Sequence, residues 1–164
     1  MVYSGKNKKK VYYDYSNVSP VNNYVKSKAF LESKIRKIFK NFLILRLSKI
    51  YSTNKNHNTF LSQLSNNKIN LLFSDQKVHY LNYIDFEKIF KKILKLKNLR
   101  GIFNVPGKEF NTRYNFIRKY LNKIKNKKIK IFPISVKNYK NIPYYLKLKT
   151  NLFKKITFKP NRIF

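Results

Sequence analysis

Tyr24 and Lys28 form a Tyr-x-x-x-Lys pair, the spacing in this sequence with the most chemistry in it. On a helix, positions four apart stack on one side, so a phenol and an ammonium can face the same ligand. A free phenol, with a pKa of ~10, is a sluggish proton donor near neutrality. A fixed ammonium beside it favours the phenolate and draws that pKa toward working pH. Such a pair can give a proton to a ketone oxygen while hydride arrives at the carbon. The pattern also occurs at Tyr51/Lys55 and Tyr145/Lys149. On spacing alone each of the three reads as an exposed tyrosine beside a solvated lysine.

Other chemistries have less material. Without cysteine there is no disulfide framework, thiolate nucleophile or thiolate metal site. His57 and His79 are the only histidines and have no clustered carboxylates, so no metal site is expected. Gly5, Gly101 and Gly107 are too few for a glycine-rich phosphate loop. No apolar run approaches the ~18 residues of a membrane span, and the start lacks a signal peptide's apolar stretch. The expected location is therefore the cytoplasm.

The 164 residues carry 38 Lys+Arg against 6 Asp+Glu, a net charge of +32, with 16% aromatics. That aromatic content is too high for a disordered basic tail. The charge could mark a nucleic-acid partner. Yet Lys, Asn, Ile, Phe and Tyr, all reachable by AT-rich codons, make up well over half the chain, and lysine outnumbers arginine 32 to 6. Readers of nucleic acid lean on arginine for bidentate contacts. Compositional drift is the favoured reading, with nucleic acid bound only non-specifically.

The elements that must position the pair alternate between strand and helix. Residues 1–4 read as a strand end. A helix is expected from about Asn22 to Lys40, with Tyr24, Lys28, Leu31, Ile35 and Ile38 on one face and Pro20 near its start. Phe42 to Leu47 has the look of a strand buried on both faces of a parallel sheet. A short helix is expected over Asn58 to Leu64. Strands follow at Asn70 to Phe73 and Val78 to Leu81, around the polar turn Ser74-Asp75-Gln76. A helix is expected over Asp85 to Leu96, with Ile89, Phe90, Ile93 and Leu94 inward. Next come a strand from Gly101 to Val105, a helix from Thr112 to Ile124 bearing Phe116, Ile117, Tyr120 and Leu121, and a strand from Lys130 to Ile134. After Ser135 the pattern dissolves into coil. The alternation argues for an α/β fold with no second independent domain.

Context separates the first Tyr–Lys pair from the other two. Ser19-Pro20-Val21-Asn22-Asn23-Tyr24-Val25-Lys26-Ser27-Lys28, followed by Glu32, resembles the catalytic segment of extended short-chain dehydrogenases/reductases that act on nucleotide sugars. Further resemblances follow in family order. They are Leu45-Arg46-Leu47-Ser48-Lys49-Ile50-Tyr51, the turn Asp75-Gln76, Tyr83-Ile84-Asp85-Phe86, Gly101 to Gly107, and Ile131-Phe132-Pro133-Ile134-Ser135. Upstream, Val2-Tyr3-Ser4-Gly5 resembles the strand end before the catalytic helix. The nearest subgroup is that of the dTDP-4-dehydrorhamnose reductases, and the resemblance covers roughly residues 2–135.

The resemblance implies a partial Rossmann-like parallel sheet with helices, plus a small substrate-binding lobe. Residues 1–55 would be the catalytic-helix part of the Rossmann half and 56–164 mostly the lobe, in one truncated domain. Tyr24 would be the proton donor and acceptor. Lys28 would lower its pKa and hold the nicotinamide ribose of NADP or NAD. Asn58 and Phe60 would contact the nucleotide sugar. Several family features are missing. The glycine-rich dinucleotide fingerprint and the catalytic Ser/Thr would fall ahead of Met1, Lys49 stands where the reductases usually have Trp, and Val25 replaces the glycine after the tyrosine. The expectation is thus a reductase fragment, inactive alone, with a separately encoded N-terminal half as a possible partner. Two alternatives stand beside it: a non-catalytic remnant that binds sugar nucleotide or protein, and a basic nucleic-acid-binding module.

Overall fold

A computed structural model of the protein describes residues 2–54, 56–64 and 70–161. Its three long helices each begin on a residue whose side-chain oxygen accepts an otherwise unpaired backbone N–H. Helix α1 (Asn23–Ile38) is capped by Asn22, which accepts from Val25 N at 2.9 Å. Helix α2 (Tyr83–Leu94) is capped by Asn82, which accepts from Ile84 N, and α3 (Arg113–Lys123) by Thr112, which accepts from Asn115 N. The short α4 (Leu152–Lys155) lies near the C-terminal end of the described chain.

The strands form three sheets. Strands β1 (Val11–Tyr12), β9 (Tyr145–Leu148), β5 (Lys77–Asn82) and β3 (Lys49–Tyr51) lie side by side, all parallel, with β7 (Glu109–Thr112) antiparallel to β5. Strand β2 (Leu43–Leu47) runs parallel to β6 (Gly101–Val105), Leu43 opposite Gly101 and Leu47 opposite Val105. Strand β4 (Asn70–Phe73) runs parallel to β8 (Ile131–Ile134). Parallel strands joined through helices are the expected α/β class.

Two apolar clusters hold these layers. One gathers Tyr3, Tyr12, Tyr51, Phe60, Tyr80, Phe116 and Ile117; the other gathers Leu81, Ile89, Ile93, Phe103, Val105 and Leu152. The first is largely aromatic, with Tyr80 stacked on Phe116 at 4.1 Å and Tyr3 on Tyr12 at 4.4 Å. Gly107 is pressed against β5 so closely that a Cβ would stand 1.7 Å from the Tyr80 carbonyl oxygen, so any side chain there would force the strands apart. Its N–H donates to Ser48 Oγ and its carbonyl accepts from His79 Nδ1.

A buried polar chain ties α1 to the sheet. Glu32 accepts from Arg46 Nε at 3.0 Å and Nη2 at 2.6 Å; Arg46 Nη1 donates to the Tyr3 hydroxyl, which donates to Asn104 Oδ1. The glutamate and arginine of two separate sequence motifs therefore meet as a bidentate pair, and this pair holds the Tyr24-bearing helix in register with β2.

Several expectations are corrected. Val2 and Tyr3 are buried and Ser4 is half-buried, but the segment joins no ladder; its polar groups bond Ser19 instead, the Val2 carbonyl accepting from Ser19 N and Ser4 N donating to Ser19 Oγ. Strand β2 is only half-buried, and its one buried residue is Arg46, because β6 is its only ladder partner among the described residues. The inward face of α1 is Val25, Ala29 and Glu32, while Tyr24, Leu31 and Ile38 are exposed. In α2 the inward residues are Asp85, Ile89 and Ile93, with Phe90 and Leu94 exposed. Residues 60–63 form turns rather than a helix, because Ser62 Oγ donates to the Thr59 carbonyl and accepts from Thr59 N, diverting groups a helix would use. The stretch after Ser135 is not all coil: it supplies a 3-10 turn (Val136–Asn138), β9 and α4. Strands β4 and β5 flank the polar turn without pairing to each other. Asp75 in that turn accepts from Ser135 Oγ and Val136 N, which joins it to the end of β8.

Candidate active site

A cleft of about 990 Å³ opens between the start of α1, the β2–β3 junction, the 57–63 loop and β5. Tyr24 is the second residue of α1 and projects into this cleft, 65% exposed. Lys28 lies one turn on, exposed, with Nζ 5.6 Å from the centre of the Tyr24 ring. Phenol and ammonium therefore share one side of the helix, although Lys28 itself stands outside the cleft lining. The other two pairs differ. Tyr51 is fully buried in β3, where burial first, and then the Asp85 and Glu109 carboxylates, push its phenol well up; Lys55 lies outside the described residues. Tyr145 lies on a strand, and Lys149 sits over Tyr13.

Asn58 and Phe60 line the same cleft. Asn58 Oδ1 accepts from Gln63 Nε2 at 3.3 Å, so its amide N–H2 is turned to no protein acceptor among the described residues. Phe60 is 5% exposed, its ring packed 5.6 Å from Tyr80 and 5.8 Å from Phe116. It packs in the aromatic core and also lines the cleft.

Sequence reasoning missed Lys49 and Arg113. Both line the cleft, and both lie over the Phe60 ring, Lys49 Nζ at 5.7 Å and Arg113 Cζ at 5.4 Å. Burial lowers the Lys49 pKa, and the Arg113 guanidinium lowers it further. The sequence marks Lys49 only as the residue standing where the resembling reductases have Trp, and nothing in it shows that Arg113, one of 38 cations, shares the cleft with it. His57 is also in the wall, Nδ1 2.8 Å from Ser52 Oγ and its ring 4.2 Å from that of Tyr83. Gln76 is held there by a 2.7 Å bond from Nε2 to the Pro143 carbonyl.

A helix carrying the Tyr–Lys pair beside a cleft, on parallel strands, is an α/β architecture. The chain matches the family model of the RmlD substrate binding domain over residues 1–162 and belongs to that family, within the extended short-chain dehydrogenases/reductases. The dTDP-4-dehydrorhamnose reductase of Bacillus anthracis str. Ames, solved in complex with NADP, superposes with a TM-score of 0.81 at 20% identity, over 97% of this chain and 57% of that one. The ortholog from Clostridium acetobutylicum gives 0.78 at 20% identity, over 95% and 56%. MoeE5, in complex with UDP-glucuronic acid and NAD, gives 0.78 at 12% identity, over 98% and 57%. At these identities the likeness is one of fold, and the chain spans little more than half the length of these proteins. No curated protein sequence matches the chain.

Proposed function

We propose that the chain is the substrate-binding part of an NAD(P)-dependent nucleotide-sugar reductase of the dTDP-4-dehydrorhamnose reductase type, which reduces a 4-keto sugar nucleotide. Residues 1–55 contribute the catalytic-helix part of the dinucleotide half, and 56–164 mostly the substrate lobe. The observation that carries this reading is Tyr24: a phenol aimed into the large cleft, with an ammonium on the same side of its helix.

The residues present fit one end of a dinucleotide. Lys28, exposed one turn from Tyr24, would hold the nicotinamide ribose. For the pyrophosphate, no glycine opens a helix among the described residues: Gly5 packs on Pro143 and Leu146, Gly101 starts β6, and Gly107 is pressed on Tyr80. The cradle for that group belongs, on this reading, to a separately encoded N-terminal half. When bound, the nicotinamide supplies hydride. The chain's own part is to hold and move a proton. Tyr24 Oη gives its proton to the ketone oxygen as negative charge develops there, with the Lys28 ammonium on the same side of the helix. Asn58 and Phe60 orient the sugar nucleotide, and the walls of the cleft displace water from it.

The test is oxidation of NAD(P)H with dTDP-4-dehydrorhamnose, using this chain together with an N-terminal half that carries the glycine-rich fingerprint. Turnover is expected, falling ~100-fold or more in Tyr24→Phe with nucleotide-sugar binding kept. No turnover with both chains soluble, or turnover indifferent to Tyr24→Phe, would overturn the reductase reading. Binding without turnover, equal in wild type and Tyr24→Phe, would favour the non-catalytic remnant.

A further inference from the structure

We propose that Lys49 and Arg113 form an oxyanion-binding pair in the cleft, and that the ligand carries its negative charge there. This rests on the nucleotide-sugar reading and deepens it by naming the part of the ligand that the cleft grips.

Three observations converge. First, two like charges from elements far apart in sequence are brought to one ring: Lys49 from the start of β3 and Arg113 from the start of α3, at 5.7 and 5.4 Å from the centre of Phe60. Their mutual repulsion is felt, since the Arg113 charge adds to desolvation in lowering the pKa of Lys49. An anion between them would turn that repulsion into attraction.

Second, Arg113 Nε is buried and has no hydrogen-bond partner among the described residues. A guanidinium offers five N–H donors in a fixed plane, and a buried donor left unpaired is costly. A phosphate or carboxylate oxygen is the acceptor that fork geometry fits best.

Third, no protein carboxylate competes. All six lie among the described residues, and none lines the cleft. Asp14 bonds Asn104 and Asn151, Glu32 bonds Arg46, Asp75 bonds Ser135, Asp85 bonds Asn161 and Glu87 bonds Lys91, while Glu109, in register with Tyr80 on β7, forms no ion pair with Lys49 or Arg113.

A nucleotide sugar offers such an oxyanion in two places: the diphosphate bridge, and a carboxylate where the sugar is an acid. Isothermal titration of the full chain in 0.15 M salt, which screens the diffuse surface charge to a range of ~8 Å, separates them. The probes are inorganic pyrophosphate, glucuronate and dTDP-glucose. The variants are K49Q/R113Q and a charge-matched control, K97Q/K127Q, on exposed lysines. Pyrophosphate or glucuronate is expected to bind at least ~10-fold more weakly to K49Q/R113Q, with the control unchanged. Loss confined to pyrophosphate assigns the pair to the diphosphate, and loss confined to glucuronate assigns it to a sugar carboxylate. Equal weakening in both double variants, or none in either, overturns the pair.

If the far-UV circular dichroism of K49Q/R113Q departs from wild type, K49Q decides: a loss of ~3-fold or more supports the pair, and no loss overturns it. The two readings fail separately. If dTDP-glucose binds no better than pyrophosphate, the nucleotide-sugar reading falls and the pair stands. If it binds well and equally to wild type and K49Q/R113Q, the diphosphate assignment falls and the reading stands; the pair then survives only with a loss confined to glucuronate, and otherwise falls.

Discussion

Tyr24 and Phe60 face the same cleft, yet they are held by different forces. Tyr24 owes its position to one turn of a capped helix, a local arrangement that a sequence displays directly. Phe60 owes its position to Tyr80 and Phe116, which are distant in the chain, so its share in the core was not legible from its neighbours. Lys49 and Arg113 were hidden for a third reason: position in space, not residue type, brings these two of the 38 cations to one ring. His79 shows another effect of burial. Burial lowers its pKa to about 4; the Lys147 charge adds to this, and the hydrogen bond to the Gly107 carbonyl opposes it. Its ring is thus neutral in the fold and protonates more readily in the unfolded chain. The stability it contributes is full above pH 6.5 and is lost as the pH falls from 6.5 through 4, by up to about 3 kcal/mol. Urea denaturation across that range should show the decline in wild type and a flatter limb in His79→Gln. Parallel profiles would remove His79 as the cause.

Elements were easiest to read where one local rule sufficed. The periodic apolar positions of the first and third helices and the apolar run at Gly101 to Val105 place α1, α3 and β6 within two residues of their observed bounds. Partners were harder, because they depend on the whole sheet. The apolar stripe of α1 was expected to turn inward, but Glu32, three residues beyond Ala29, must reach Arg46 and so rotates Val25 and Ala29 into the core. That ion pair is buried on both sides, with 5% and 12% of the side chains exposed. Removing one partner leaves an uncompensated charge, so Glu32→Gln should cost about 3 kcal/mol in urea unfolding. A loss below about 1 kcal/mol would mean that α1 is held by packing alone. The late strand β9 escaped notice because its alternation, buried at Leu146 and Leu148, spans only four residues.

At the scale of the molecule, the +32 charge draws anionic ligands toward every face, and the cleft is where two of those charges are brought together in shape. Phe30, Leu31 and Ile38 of α1 and its C-cap Phe39 are more than half exposed, an apolar face that the N-terminal half proposed above would cover. No helix among the described residues is long and apolar enough to cross a membrane. A nucleotide sugar in the cleft is the most direct matter to measure, through backbone amide shifts of the labelled chain titrated with dTDP-glucose in moderate salt. The shifts should gather at Asn22, Tyr24, Thr59 and Gln76, which wall the cleft, and saturate together at one dissociation constant. Shifts scattered over the surface lysines without saturation, or none at the cleft, would contradict it.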